Sequence, residues 1–291
     1  MVHTPVLLDE VLRWMRVRPE GTYIDATVGT GGYALALAPL LSTGRLVGID
    51  RDPRALEIAR ERLRAFGGKV KLVRSNFSMV DEVARSLSLP PADGVLADLG
   101  ISTLQLDTPG RGFSFRFAGP LDMRMDPDEL TTAAEIVNHW PEQDLADLIY
   151  RFGEERNSRR IARAILRARP IRDTAHLATV VAGAQKVRGR QRLHPATKTF
   201  LALRIAVNQE LEELEQFLDR APATLSPEGR WLMLSYHSLE DRLVKRQFQR
   251  LAQQKVLRLL TKKVVEAGEA ELRANPRARS AKLRVAEKLA S

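Results

Sequence analysis

Over its first hundred residues the chain alternates short apolar runs with longer segments of helical period, the pattern of a parallel α/β sheet. Thr22–Val28 is apolar and ends in Gly29-Thr30-Gly31-Gly32, after which an Ala/Leu-rich helix extends to Leu41. Arg45–Ile49 predicts a second strand ending at Asp50. Pro53, a residue suited to the first turn of a helix, opens one through Phe66. Val70–Arg74 and Gly94–Ala97 predict a third and a fourth strand, the latter ending at Asp98.

Beyond Leu99 the strand pattern stops. Residues 106–128 are rich in Gly, Pro, Arg and Asp and read as loop. From Thr131 to His194 only helices are predicted: Pro141–Phe152, Glu155–Ala168, and Thr174–Ala184 behind an Asp173 cap. One long helix is predicted over Pro195–Asp219, because Phe200, Leu203, Val207, Leu211, Leu214 and Leu218 step by three and four along one face. Strand character returns at Arg230–Tyr236, followed by a helix from Leu239 to Ala252 and two β-like runs, Val256–Leu260 and Lys282–Ala286. The expectation is a discontinuous sheet domain, residues 1–105 and 195–291, interrupted by a helical domain over 106–194.

Composition narrows the chemistry. The absence of cysteine removes disulfides, thiolate zinc sites and Cys nucleophiles together. The first residues lack the layout of a signal peptide and no apolar run reaches membrane-spanning length, which points to a soluble, cytoplasmic protein. The net charge of +10 is unevenly spread. Residues 151–192 hold 12 Lys/Arg against 3 Asp/Glu, and residues 242–291 hold 14 against 4, so the rest of the chain is acidic. Two concentrated basic segments suit a polyanionic partner such as nucleic acid, although solvated helix faces have the same composition.

The candidate ligand loop is Gly29-Thr30-Gly31 with Ala34, a relaxed G-x-G-x-x-G/A turn between strand and helix. Asp50 follows about twenty residues on at a strand end, where a carboxylate can accept from both hydroxyls of a ribose. Both features suit NAD as well as S-adenosylmethionine. Asp25 favours the second: a carboxylate in a buried strand needs a partner, such as an ammonium, and would oppose the pyrophosphate of a dinucleotide.

These segments also resemble a known family. His3-Thr4-Pro5-Val6-Leu7-Leu8, Asp25-Ala26-Thr27-Val28-Gly29-Thr30-Gly31-Gly32 and Gly48-Ile49-Asp50-Arg51-Asp52-Pro53 are similar to motifs of the bacterial ribosomal RNA small-subunit methyltransferase H (MraW) family. So are Asp98-Leu99-Gly100-Ile101-Ser102, Leu121-Asp122-Met123-Arg124-Met125, Tyr150-Arg151-Phe152-Gly153-Glu154-Glu155-Arg156, His194-Pro195-Ala196-Thr197 and His237-Ser238-Leu239-Glu240-Asp241-Arg242. The resemblance implies a class I (Rossmann-like) S-adenosylmethionine-dependent methyltransferase sheet with an inserted all-helical domain. It implies N4-methylation of a cytidine in the decoding region of 16S rRNA, within the small ribosomal subunit. Cofactor contacts carried over are Gly31, Gly32, Tyr33, Asp50, Phe77, Asp98 and Gln105, to which the residue-level reading adds Asp25 and Gly29. Tyr33 stands where the family pattern has His, and Tyr236 where it has Phe.

For the chemistry, Asp98 is the candidate carboxylate beside the transferred methyl, and His237 the second candidate catalytic residue. A capped helix start at Ser238 with Asp241 explains the segment around His237 equally well. Asp98-Leu99-Gly100-Ile101 differs from the Asp/Asn-Pro-Pro-aromatic motif of many amino-methyltransferases. No His/carboxylate spacing typical of a metal site is present, so no metal is expected. His139 beside Trp140 reads as a packed interior pair. Arg156, Arg159, Arg160, Arg163 and Arg167 recur at helical spacing and, with Lys198 and the basic stretch Lys186, Arg188, Arg190 and Arg192, are candidates for RNA phosphate. The rival readings are an RNA-binding assembly factor without chemistry and an NAD-dependent dehydrogenase.

Overall fold

A computed structural model describes residues 5–185 and 193–290. The expectations for His3 and for the basic stretch Lys186–Arg192 lie outside them. The chain divides into two compact units, residues 1–100 with 211–291, and residues 101–210.

The first unit is built on a seven-stranded sheet of order β3-β2-β1-β4-β5-β7-β6. The strands are β1 (Thr22–Asp25), β2 (Arg45–Asp50), β3 (Val70–Arg74), β4 (Ala92–Asp98), β5 (Leu225–Ser235), β6 (Leu257–Leu259) and β7 (Lys282–Lys288). From β3 to β5 neighbours are parallel, and β7 runs antiparallel to both β5 and β6. Helices α1 (Leu8–Met15), α2 (Gly32–Leu37), α3 (Pro53–Arg62) and α4 (Val80–Ser86) precede or connect the first four strands. Pro53 opens α3 as expected, with Asp52 as its cap through Arg54 N at 3.0 Å. β5 starts five residues before the predicted Arg230 because Leu225 pairs with Ala92 before the register shifts to Arg230 opposite Gly94.

Among its described residues the second unit is helical: α5 (Thr103–Asp107), α6 (Ala133–His139), α7 (Glu142–Gly153), α8 (Ser158–Ala168), α9 (Thr174–Ala184) and α10 (Thr197–Asn208). Asp173 caps α9 through His176 N at 2.7 Å, as its sequence position implies. The predicted loop before α6 is pinned. Leu121, Met123 and Met125 are buried, and the side chain of Asn208 donates to Met123 O (2.8 Å) while accepting from Met125 N (2.7 Å).

The single long helix predicted over Pro195–Asp219 is two. α10 ends at Asn208, Gln209 adopts φ +50°, and α11 (Glu210–Thr224) follows. Arg204 and Glu210 clasp the break with two bonds of 2.8 Å. The apolar stripe is continuous in sequence but serves two cores: Phe200, Leu203 and Val207 belong to the helical unit's, Leu214 and Leu218 to the sheet's. The units therefore divide at 100/101 and 210/211, correcting the expected 105/106 and 194/195. Two later helices, α12 (Ser238–Gln253) and α13 (Glu269–Ala274), complete the first unit.

Candidate functional site: an acidic strand-end cluster around a glycine turn

A parallel strand covered on both faces is expected to be apolar throughout, and β1 is buried at all its positions. Its last residue is nevertheless Asp25, wholly buried. Oδ1 accepts from Thr27 N at 3.3 Å, and Oδ2 has no hydrogen-bond partner among the described residues. Burial, reinforced by the charges of Asp98 and Asp50 and opposed by the Thr27 N–H, pushes the Asp25 carboxyl up to about 8.

Asp50 ends β2 and is half-buried. It accepts from Gly29 N through Oδ2 and from Asp52 N through Oδ1, both at 2.8 Å. Burial raises it to about 6 against those two donors. Asp98 ends β4, its backbone N–H donating to Thr27 Oγ1 at 2.7 Å and its Oδ1 accepting from the Tyr236 hydroxyl at 2.6 Å. Burial raises Asp98 to about 7, with the Tyr236 hydrogen bond working the other way. Thr27 thus touches both Asp25 and Asp98, a role the sequence analysis did not assign.

The turn between β1 and α2 closes with Gly31 N donating to Val28 O at 2.8 Å. Gly31 has φ +82°, and a Cβ there would lie 3.1 Å from Leu63 Cδ1, so glycine satisfies both backbone and space. Gly29, at φ +52°, directs its N–H to Asp50. Arg62 on α3 secures the turn from outside, bonding Thr30 O at 2.8 Å and Thr30 Oγ1 at 3.2 Å. Gly32 starts α2 beside Pro5, whose Cγ would be 2.8 Å from an added Cβ. The hydroxyl of buried Tyr33 donates to Val6 O at 2.6 Å, tying the first helix's approach to the glycine turn.

The remaining candidates hold structural positions. Phe77 follows β3 and packs against Phe217 at 5.2 Å between ring centroids. Gln105 lies on α5 and is buried. Its Oε1 accepts from Ser102 N (3.1 Å) and its N–H reaches Ser102 Oγ (3.2 Å), a capping box. α12 is capped by His237 with Glu240, correcting the expected Ser238–Asp241 pair. Asp241 instead binds Arg284 at 2.7 Å. His237 Nε2 lies 3.1 Å from Glu240 Oε1. His139 is not interior: its side chain is 67% exposed and pairs with Glu135 at 2.8 Å.

In the helical unit, Arg156, Arg159, Arg160, Arg163 and Arg167 are all exposed on or just before α8. Arg163 meets Glu142 at 3.4 Å, while Arg156, Arg159, Arg160 and Arg167 form no ion pair among the described residues. Glu155 turns inward to accept from Asn157 N at 2.8 Å. Lys198 Nζ donates to Glu154 O at 2.9 Å, closing the turn between α7 and α8. That bond gives Lys198 a local task distinct from phosphate binding.

Asp25, Asp50 and Asp98, with Gly29, Gly31 and Gly32, therefore converge on the carboxyl edge of the sheet, where open α/β sheets bind ligands. Three carboxylates and an unpartnered buried oxygen fit a ligand carrying cationic groups and a ribose diol. They do not fit a pyrophosphate, which would face the acidic cluster across the helix start. The strand order with its antiparallel β7 and this acidic edge define a class I, Rossmann-like methyltransferase that uses S-adenosylmethionine.

The chain belongs to the MraW methylase family, which it matches over residues 1–289. It is 51% identical to the ribosomal RNA small subunit methyltransferase H of Acidobacterium capsulatum, over 98% of this chain and 98% of that one. Its identity to the protein of the same name from Koribacter versatilis is 50%, over 98% of this chain and 93% of the other. Among solved structures, an rRNA-methylase from Clostridium thermocellum aligns at 14% identity and a TM-score of 0.46, over 99% of this chain and 100% of that one. Membership of the MraW methylase family overturns the dehydrogenase reading. No helix among the described residues is long and apolar enough to cross a membrane.

Proposed function

We propose that the protein methylates the exocyclic N4 amine of a cytidine in the decoding region of 16S rRNA, on the small ribosomal subunit in the cytoplasm. The RNA substrate is supported by the names of relatives about half identical over nearly their whole length. The observation that carries the chemistry is Asp98 at the end of β4, its carboxyl raised to about 7 and one oxygen bonded to Tyr236.

The N4 lone pair of cytosine is delocalised into the ring, so the amine is a weak nucleophile. Bound S-adenosylmethionine supplies a methyl group activated by its sulfonium. The protein's part is alignment and acceptance of the positive charge and proton that the amine acquires. With Oδ1 committed to Tyr236, Asp98 receives the amine hydrogen at Oδ2. A carboxyl poised near neutrality suits that exchange. Asp50 takes the ribose hydroxyls on the lone pairs that Gly29 and Asp52 leave, and Asp25 faces the cationic end of the cofactor. Phe77, Gln105 and the backbone at Tyr33 complete the cofactor contacts in this reading. His237 assists by orienting the base, apart from its capping of α12.

The helical unit serves as the substrate-recognition domain. Arg156, Arg159, Arg160 and Arg163, with Lys198, take the RNA phosphates. No metal takes part in this scheme. The direct test is transfer of labelled methyl from S-adenosylmethionine to purified small subunits. Incorporation into 16S rRNA by the native chain and not by Asp98→Asn is expected; equal incorporation by both removes Asp98 from the chemistry. A chain that binds the RNA and never transfers methyl is an assembly factor alone.

A further inference from the structure

We propose that Tyr236 is a positioning residue for methyl transfer, holding Asp98 through its hydroxyl in the orientation and ionised state that accept the amine proton. The inference rests on the assignment of Asp98 as proton acceptor. It concerns one of the two residues, with Tyr33, in which this chain departs from the family pattern.

Adjacent strands bring the pair together from positions 138 residues apart. Asp98 lies opposite Leu234 in the β4–β5 register, so the chain leaving β5 carries Tyr236 past the end of β4. The Tyr236 backbone is fixed independently, its N–H donating to Glu240 Oε2 at 2.8 Å within the cap of α12. Its ring packs among the partly buried side chains around the first unit's core. A ring held at both backbone and face presents its hydroxyl in one place, and the 2.6 Å bond to Asp98 Oδ1 follows.

The hydroxyl is a permanent donor, because burial and the charge of Asp98 raise its own ionisation far beyond the physiological range. A donor to the ionised carboxylate favours that form. The other groups facing the pair are Glu240 on α12, Tyr33 on α2, Asp25 on β1 and Arg277 in the 3-10 turn after α13. Glu240 and Asp25 are acidic and favour the protonated carboxyl. Arg277 acts on the hydroxyl in the opposite sense to Asp98. Two tyrosine hydroxyls lower the Asp98 carboxyl by hydrogen bonding: Tyr236, at 2.6 Å, acts the more strongly, and Tyr33, whose hydroxyl donates to Val6 O, the less.

The test is Tyr236→Phe, which keeps the ring. Single-turnover methyl transfer to the small subunit is followed across pH 5.5–9 at saturating S-adenosylmethionine for native, Tyr236→Phe and Asp98→Asn chains. Loss of a hydrogen bond to a charged group should move the acid limb of Tyr236→Phe upward by about 1–2 pH units. The rate should fall roughly tenfold or more at pH 6.5 and return towards native at high pH, with S-adenosylhomocysteine affinity nearly unchanged.

A merely structural role would lower the rate by a similar factor at every pH, and that result overturns the proposal. So does an acid limb that stays in place while Asp98→Asn is inactive. An Asp98→Asn chain with the native profile sinks the proton-acceptor assignment itself, a different failure. Carbon-13 titration of the Asp98 carboxyl in the native and Tyr236→Phe chains reads the same shift without turnover, and an unshifted Asp98 in the folded variant likewise overturns the proposal.

Discussion

Replacing Asp25 by Asn should make the ligand-free protein more stable at neutral pH while weakening its hold on the cofactor. The native carboxyl is buried with one oxygen unpartnered and is raised from its ordinary 3.8 to about 8. In the unfolded chain it ionises at the ordinary value. Its contribution to stability is therefore intact below pH 3.8, is lost as pH rises, and levels off above about 8. Each unit of that interval is about 1.4 kcal/mol, so the accumulated cost at pH 7 is on the order of 4 kcal/mol.

Asn removes this pH dependence but puts an amide N–H where Oδ2 has no partner, a pH-independent cost of about 1–3 kcal/mol. The net gain expected at pH 7–8 is roughly 1–3 kcal/mol, and it should vanish or reverse near pH 5. Urea unfolding of both chains at pH 5 and pH 8, without ligand, measures it. S-adenosylhomocysteine titrations on the same samples should show weaker binding by the variant. For the native chain at pH 7, calorimetry in two buffers should show release of about one proton as the cationic ligand binds. Stability curves that run parallel with pH for the two chains would refute the reasoning. The site would then not be strained in favour of a cation, and the usual exchange of stability for function would have no seat at Asp25.

Asp50→Ala should cost S-adenosylhomocysteine binding about 1.5–3 kcal/mol, the range for hydrogen bonds to a charged group. Calorimetry checks it, and unchanged affinity would remove Asp50 from the ribose. Asp98→Asn should lower the methyl-transfer rate far more than RNA affinity, measured by single turnover and filter binding on one preparation. Replacing Arg159, Arg160 and Arg163 together by Gln should weaken RNA binding and flatten its log–log salt dependence by about 0.7–0.9 per lost contact, with cofactor affinity kept. An unaltered slope with a lowered melting temperature would make those arginines structural, as the Arg163–Glu142 pair at 3.4 Å already is in part.

The strand ends were legible because a buried parallel strand has no tolerance for polar residues. A carboxylate at Asp25, Asp50 or Asp98 stands out against the apolar run before it, and the glycine turn marks which edge is functional. The helix break at Gln209 was not legible. Both sides of it are apolar at helical spacing, and only the fold reveals that Phe200 and Leu214 serve different cores. His237 as a cap was missed because imidazole rarely fills that role beside an available Ser. The contact of Tyr236 with Asp98 spans 138 residues and depends on strand register, which local periodicity does not carry. The one sequence signal for it was the departure from Phe. Lys198 read as a candidate for RNA phosphate, whereas the turn after α7 leaves Glu154 O within its reach at 2.9 Å.

The central claim is the identity of the methylated atom. Small subunits from cells lacking the protein, incubated with the purified chain and methyl-labelled S-adenosylmethionine, should be digested to nucleosides and oligonucleotides and analysed by mass spectrometry. The account predicts that the label appears as N4-methylcytidine at one position in the decoding region of 16S rRNA. Label on a ring carbon, on a ribose hydroxyl, on another base, or none at all would contradict it.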